Sequence, residues 1–310
     1  MKGIVIKSTG SWYTVKSESG QYIDCKIKGQ FRIKGLRTTN PVAIGDHVEF
    51  DYLDQEDVGV IRKIEDRQNY IVRKSTKLSK QSHIIASNID QAFLIVTLME
   101  PRTSTGFMDR FLVTAEAYHI PCTIIFNKID LYNDEAKELH KATVELYQKI
   151  GYKCLEVSAE TGLNIDVVAN ELKGKKTLLA GHSGVGKSTI INKIQPDLDL
   201  KTGSISSYHK KGTHTTTFAE MFELDNGGFI IDTPGIKEFG LIDFDKQEVA
   251  ERFPEMRAMM HDCKYHNCTH IHEPDCAVLQ ALEDGSISRS RYENYLNIFN
   301  DDNLNQKHFN

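Results

Sequence analysis

Gly181, Gly186, Lys187 and Ser188 stand at the spacing G-x-x-x-x-G-K-[ST], which is that of a loop built to hold phosphates. Glycine lets backbone N–H groups turn inward onto phosphate oxygens. The N–H groups from Gly181 through His182, Ser183, Gly184, Val185, Gly186, Lys187, Ser188 and Thr189 would line that cradle. Lys187 would reach the β- and γ-phosphates, and Ser188 would place its hydroxyl on Mg²⁺. The setting is right for the motif. Residues 176–180 read as a short buried strand and residues 189–193 as the start of a helix, which aims its positive end at the anion. A chance match is disfavoured by that strand, loop and helix.

A second constellation could read a base. Residues 121–126 form an apolar strand that runs into Asn127, Lys128, Ile129 and Asp130. A carboxylate at Asp130 can accept from both N1–H and the 2-amino group of guanine. Adenine offers no such donor pair and would leave the charge unpaired. Asn127 and the Lys128 stem would brace the loop and cover the base. Taken alone, N-K-x-D is as readily a polar loop after a strand. Ser158 and Ala159 strengthen it, because they follow another apolar strand at 154–157 and a helix at about 134–150. Their backbone N–H groups would serve the guanine carbonyl.

The order of these motifs is unusual. In ordinary P-loop GTPases the phosphate loop comes first, whereas here the guanine reader precedes it by about fifty residues. That order predicts a circularly permuted GTPase. Residues 228–231 read as a strand ending in Asp232, Thr233, Pro234 and Gly235. Asp232 would hold Mg²⁺ through water, and the Gly235 N–H would sense the γ-phosphate. Between loop and strand lies the polar segment 212–217, in which Thr215 or Thr216 would ligate Mg²⁺. Ile236 occupies the place where many GTPases carry a Gln that orients the attacking water. His214 is the nearest polar replacement in sequence; the alternative is a solvated loop histidine.

Cys263, Cys268, His270 and Cys276 crowd into fourteen residues. Three thiolates and an imidazole suit a closed tetrahedral Zn²⁺ site with no open position, hence a structural ion. His261, His266 and His272 are rival nitrogen donors. A disulfide plus a spare thiol is disfavoured. No secretory leader pattern opens the chain, and Cys25, Cys122 and Cys154 stand singly in apolar stretches.

The elements around these residues suggest three domains. Residues 1–66 carry five short β-rich runs, at 3–6, 12–15, 22–27, 47–50 and 58–64, as in a small closed β-barrel such as the OB-fold. Residues 67–82, with Arg67, Arg73, Lys74, Lys77 and Lys80, read as a basic linker. Residues 83–240 alternate strands and helices as an α/β permuted P-loop domain. Residues 241–310 read as a helical zinc-binding domain, with a last helix near 288–300 carrying Tyr292, Tyr295, Leu296 and Phe299. That stripe is more simply a core or docking face than a functional box. The net charge of −5 argues against a general nucleic-acid binder. The charge is uneven, however. Residues 1–82 hold fifteen Lys and Arg against ten Asp and Glu, which leaves the remainder at −10. A basic module of this kind suits a polyanion. Trp12, Tyr13, Phe31, Arg32, Lys34 and Arg37 could face one, with core packing or solvation the alternative for each. No run of about eighteen apolar residues occurs, so no membrane span is expected.

With these motifs in place, the chain resembles the bacterial RsgA family of circularly permuted GTPases over essentially its full length. The resemblance implies GTP hydrolysis stimulated by the small (30S) ribosomal subunit, a part in late maturation of that subunit, and contact with ribosomal RNA. It also implies a cytoplasmic protein, expected as a monomer, with one structural Zn²⁺ and with Mg²⁺ accompanying GTP, and it favours His270 as the zinc's nitrogen ligand. Thr213 stands where the family pattern suggests Arg, which puts in doubt a charge contact there. Two rival readings remain. One is a P-loop kinase or ATPase, against which Asn127 to Asp130 argue. The other is an RNA-binding module whose nucleotide is never turned over, which the missing Gln keeps open.

Overall fold

The computed structural model describes residues 1–27, 41–74, 82–198, 220–232 and 246–301. Phe31, Arg32, Lys34, Arg37, Lys77, Lys80, the segment 212–217 with His214, Thr215 and Thr216, and Gly235 and Ile236 lie outside the described residues.

Five strands close the N-terminal barrel: β1 (Lys2–Ser8), β2 (Tyr13–Ser17), β3 (Tyr22–Ile27), β4 (His47–Leu53) and β5 (Val58–Ile64). They pair in the order β1-β2-β3-β5-β4, and β4 returns to β1 through Gly3 opposite Val48. Alternation drives the closure. Val5, Tyr13, Val15, Cys25, Val48, Phe50 and Ile61 face inward and are buried together. Tyr13 therefore belongs to the core, whereas Trp12 is exposed.

Part of the segment expected as a linker is built into the fold. β6 (Tyr70–Lys74) pairs antiparallel with β7 (Ser82–Ser87). Arg67 donates from two nitrogens to the buried Asp46 carboxylate, each at 2.7 Å, and Ser87 Oγ donates to the same group at 2.6 Å. A buried carboxylate needs such partners, so the chain after the barrel is held against it.

The central sheet continues as β8 (Gln91–Val96), β9 (Cys122–Phe126), β10 (Lys153–Glu156), β11 (Lys176–Ala180), β12 (Glu220–Glu223) and β13 (Phe229–Asp232). Its order is β10-β9-β8-β11-β13-β12, with all but β12 parallel. Strand β8 is buried on both sides, as a parallel strand between helical layers must be. Helices α1 (Thr105–Ala117) and α2 (Asp134–Ile150) cover Leu94, Val96, Ile124 and Leu178. Helices α3 (Ile165–Leu172) and α4 (Lys187–Ile194) cover Phe93, Ile95, Ile125 and Leu179 on the opposite face. The helix ends are legible in sequence: Asn133 caps α2 by accepting from the Ala136 N–H, and Gly151 stops it with φ of 111°. Strand β12 also pairs with β1, Lys7 opposite Glu220, so the barrel extends the sheet.

The C-terminal region is helical, with α5 (Ala277–Glu283) and α6 (Arg289–Phe299) following a helical turn at Pro254–Arg257. Tyr292 and Tyr295 are buried in its core together with Phe253, Met256 and Val113 of α1. The docking centre is charged. Arg291, 1% exposed, donates at 2.6 Å to Asp109 of α1, which is fully buried, and at 2.7 Å to Glu255. Burial works against the charge on Arg291, yet Asp109 and Glu255 together hold it above the ordinary arginine value.

Candidate nucleotide site and metal centre

Strands β8, β9, β10 and β11 are parallel and deliver their C-terminal ends to one edge of the sheet, where open α/β sheets bind ligands. The loops leaving β9, β10 and β11 carry the three motifs, and the structure brings them together. Asn127, 1% exposed, is the junction. Its Nδ2 donates to the Val185 carbonyl in the phosphate loop at 2.7 Å, and its Oδ1 accepts from the Ala159 N–H at 3.1 Å. Ser158 Oγ donates to the Asp130 carboxylate at 2.5 Å, which fixes an otherwise exposed acid. Lys128 sits at φ of 63° and its Nζ donates to the Glu100 carbonyl at 2.7 Å. Ile129 opens the short helical turn Ile129–Leu131 that leads from Lys128 toward α2.

The phosphate loop has the shape its glycines allow. Gly186 has φ of 97°, and a Cβ there would collide with Asn127 Nδ2. Gly181 has φ of 139°, and a Cβ there would strike the Ile95 carbonyl. Lys187 is buried, and its ammonium donates to the carbonyls of Gly181 and His182 at 2.8 Å each, so it lies across the loop. Ser188 and Thr189 follow Lys187 in the first turn of α4, whose first N–H groups have no partner within the helix. His182 stacks on Phe107 of α1, ring centroids 3.9 Å apart. The buried ammonium, the narrow glycine turn and the helix start fit an oligophosphate. The tied Asp130 carboxylate fits a guanine edge. Asp232 ends β13 beside β11, at the same edge of the sheet.

The four zinc candidates also meet. The ligand atoms of Cys263, Cys268, His270 and Cys276 all lie within 4.8 Å of one another. Cys263 Sγ is 3.9 Å from Cys276 Sγ and 3.6 Å from His270 Nδ1, and His270 Nδ1 is 3.4 Å from Cys276 Sγ. A tetrahedron with Zn–S near 2.3 Å and Zn–N near 2.0–2.1 Å has edges of roughly 3.5–3.8 Å. The donor set therefore fits Zn²⁺. His261, His266 and His272 stand outside the cluster. Burial pushes Cys268 up to about 12 and raises Cys276, toward thiols that a divalent cation would convert to thiolates, and it lowers His270, toward the neutral imidazole that a cation requires.

Several supports have no motif to announce them. The loop at 97–104 after β8 lies against the phosphate loop, with Pro101 beside Gly184. The only sequence signal for it is an apolar run followed by Pro, Thr and Ser. Glu273 organises the zinc loop by accepting from the N–H groups of Thr269 at 2.8 Å, Ile271 at 3.0 Å and His272 at 3.2 Å. Burial works against its charge, but the Thr269 hydroxyl, which donates at 2.5 Å, and the backbone N–H groups hold its carboxyl well below the ordinary glutamate value.

A family model described as RsgA GTPase matches residues 64–242, and one described as RsgA N-terminal domain matches residues 2–61. The chain belongs to the RsgA family. Small ribosomal subunit biogenesis GTPase RsgA 2 of Bacteroides thetaiotaomicron is 56% identical over 301 residues, 97% of each chain. Small ribosomal subunit biogenesis GTPase RsgA of Christiangramia forsetii is 55% identical over 300 residues, 96% of this chain and 95% of the relative. Among solved structures, YjeQ from Thermotoga maritima superposes with a TM-score of 0.79 at 35% identity, covering 96% of both chains. YloQ, described as a circularly permuted GTPase, superposes at 0.74 and 30% identity, covering 96% of this chain and 93% of that one. The overall fold of this chain is thus shared with solved structures that have about a third of its residues in common.

Proposed function

We propose that this chain hydrolyses GTP and assists late maturation of the small ribosomal subunit, with the subunit accelerating the hydrolysis. One observation carries the guanine assignment: Asn127 binds the phosphate loop and the Ser158–Ala159 loop at once. Base reader and phosphate cradle are therefore one object despite their reversed order in the chain. Asp130, held by Ser158, accepts from the guanine N1–H and 2-amino group. Lys187 neutralises the β- and γ-phosphates, and Ser188, Asp232 and Thr215 or Thr216 serve Mg²⁺, which offsets charge on the phosphate oxygens. Water attacks the γ-phosphorus, the bond to the β–γ bridging oxygen breaks, and GDP and phosphate leave. His214 orients that water in place of the Gln that Ile236 replaces, while the Gly235 N–H reports the γ-phosphate.

The zinc held by Cys263, Cys268, His270 and Cys276 is structural. Residues 1–82, with their excess of positive charge, dock on ribosomal RNA. The protein acts as a cytoplasmic monomer. Among the described residues no helix is long and apolar enough to cross a membrane.

Turnover of GTP measured with and without 30S subunits tests this reading. Slow intrinsic hydrolysis and a large subunit-dependent increase are expected, lost progressively with added salt. Neutralising the exposed Arg62 and Lys63 of the barrel should reduce the increase, and His214→Ala should lower the stimulated kcat more than GTP affinity. No turnover under either condition would favour an RNA-binding module with a bound, unhydrolysed nucleotide. Equal competition by ATP would refute the guanine reading of Asp130.

A further inference from the structure

Lys128 has φ of 63°, in the left-handed region that side chains other than glycine rarely adopt. Such a residue persists only where its surroundings over-determine it. Its position matters because the peptide before it belongs to Asn127 and the residue two places on is Asp130. Any tilt of that peptide moves the Asn127 side chain and the guanine-facing carboxylate together.

Tyr132 stands over this point. It is 6% exposed, and its ring is fixed by an edge-on contact with His140 at 5.4 Å. His140 in turn packs edge-on against Phe126 at 4.9 Å. The Tyr132 hydroxyl accepts from the Leu98 N–H at 3.2 Å and donates to the Asn127 carbonyl at 3.4 Å. It therefore joins the loop after β8 to the loop after β9. Burial pushes the phenol above its ordinary value, which keeps the donating proton in place. The Asn127 N–H bonds the Val96 carbonyl at 2.9 Å, and its side chain bonds Val185 and Ala159. The hydroxyl of Tyr132 completes this set by engaging the Asn127 carbonyl.

We propose that Tyr132 is a positioning residue for guanine-nucleotide binding: its hydroxyl holds the Asn127–Lys128 peptide plane and so sets the direction of the base-reading loop. The inference rests on the guanine reading of Asn127 and Asp130. Tyr132 acts through Asn127, whose carbonyl its hydroxyl engages.

Tyr132→Phe tests it, because the ring and its packing remain and only the oxygen is lost. Release of a fluorescent GDP analogue should become about three- to tenfold faster, the range set by the loss of one or two modest hydrogen bonds. The preference for GDP over ADP should shrink by a similar factor. The Leu98 amide, deprived of its acceptor, should exchange with solvent faster. The unfolding midpoint of the nucleotide-free protein should fall modestly, because the Leu98 N–H is stranded, and a core substitution far from the site with the same fall in midpoint should leave GDP release at the parent rate, which separates positioning from a general packing role. Unchanged GDP release in Tyr132→Phe, or equally faster release in that control, overturns the proposal. Parent protein that binds ADP as tightly as GDP would instead overturn the guanine reading beneath it.

Discussion

Arg291→Met deletes a buried guanidinium while keeping an unbranched stem, and its cost follows from what is left behind. Asp109 is fully buried and accepts three bonds of 2.6 Å, from Arg291, Tyr147 and Asn294. Without Arg291 the carboxylate keeps two neutral donors and loses its counter-charge, and Glu255 loses bonds of 2.7 and 3.1 Å. Breaking one partner of a buried pair costs about 3–5 kcal/mol. Opening of the C-terminal helices from α1 should therefore become more frequent by at least about a hundredfold. Native-state amide exchange across Arg289–Phe299 reads this directly. The pH dependence is a second signature. Burial already pushes the Asp109 carboxyl up, against the pull of Arg291, Tyr147 and Asn294. A carboxyl raised in the folded state favours folding below its unfolded pKa, near 4, and loses that contribution as pH rises through the folded value. Removing Arg291 raises the folded value further. The deficit of the variant should thus be smallest in mild acid and grow toward neutral pH. Adding Asp109→Asn should recover part of the loss, since no charge is then stranded. A deficit under about 1 kcal/mol, the scale of an exposed pair, or one that ignores pH, would refute the argument.

Lys187→Ala should abolish tight binding of GTP and GDP while the fold survives, and unchanged GDP affinity by calorimetry would remove the phosphate-loop assignment. Asp130→Asn should weaken GTP binding strongly and improve XTP binding, because the amide can donate to the extra carbonyl; nucleotide affinities that both stay at parent values would take Asp130 away from the base. Elemental analysis of protein purified without chelator should find one zinc per chain. Cys268→Ser should lose that zinc and loosen α5 and α6 with GDP affinity little changed, because the metal's binding energy is the domain's folding energy.

The order of the motifs and the clustering of three thiols with nearby histidines were legible in the amino-acid sequence. Both depend on local chemistry: glycines at fixed intervals to expose N–H groups, and thiols and an imidazole close enough in the chain to reach one ion. The five barrel strands were legible as short β-rich runs split by glycine and polar turns, and α2 as a helix over about 134–150. Tertiary structure alone decided the rest. The pairing of β1 with β12 joins Lys7 to Glu220 across a separation of 213 positions, and no local pattern encodes which edges meet. The segment after Arg67 carried the charge of a linker, yet Asp46 and β7 recruit it into the fold, because a buried carboxylate must find partners. Choosing His270 over three neighbouring histidines needed a fold, or relatives with the same one, since spacing alone admits all four. Asp109, Arg291 and Tyr132 read as ordinary helix and loop residues. Each acquires its role only when a distant segment supplies a charge, an amide or a carbonyl in a place from which water has been excluded.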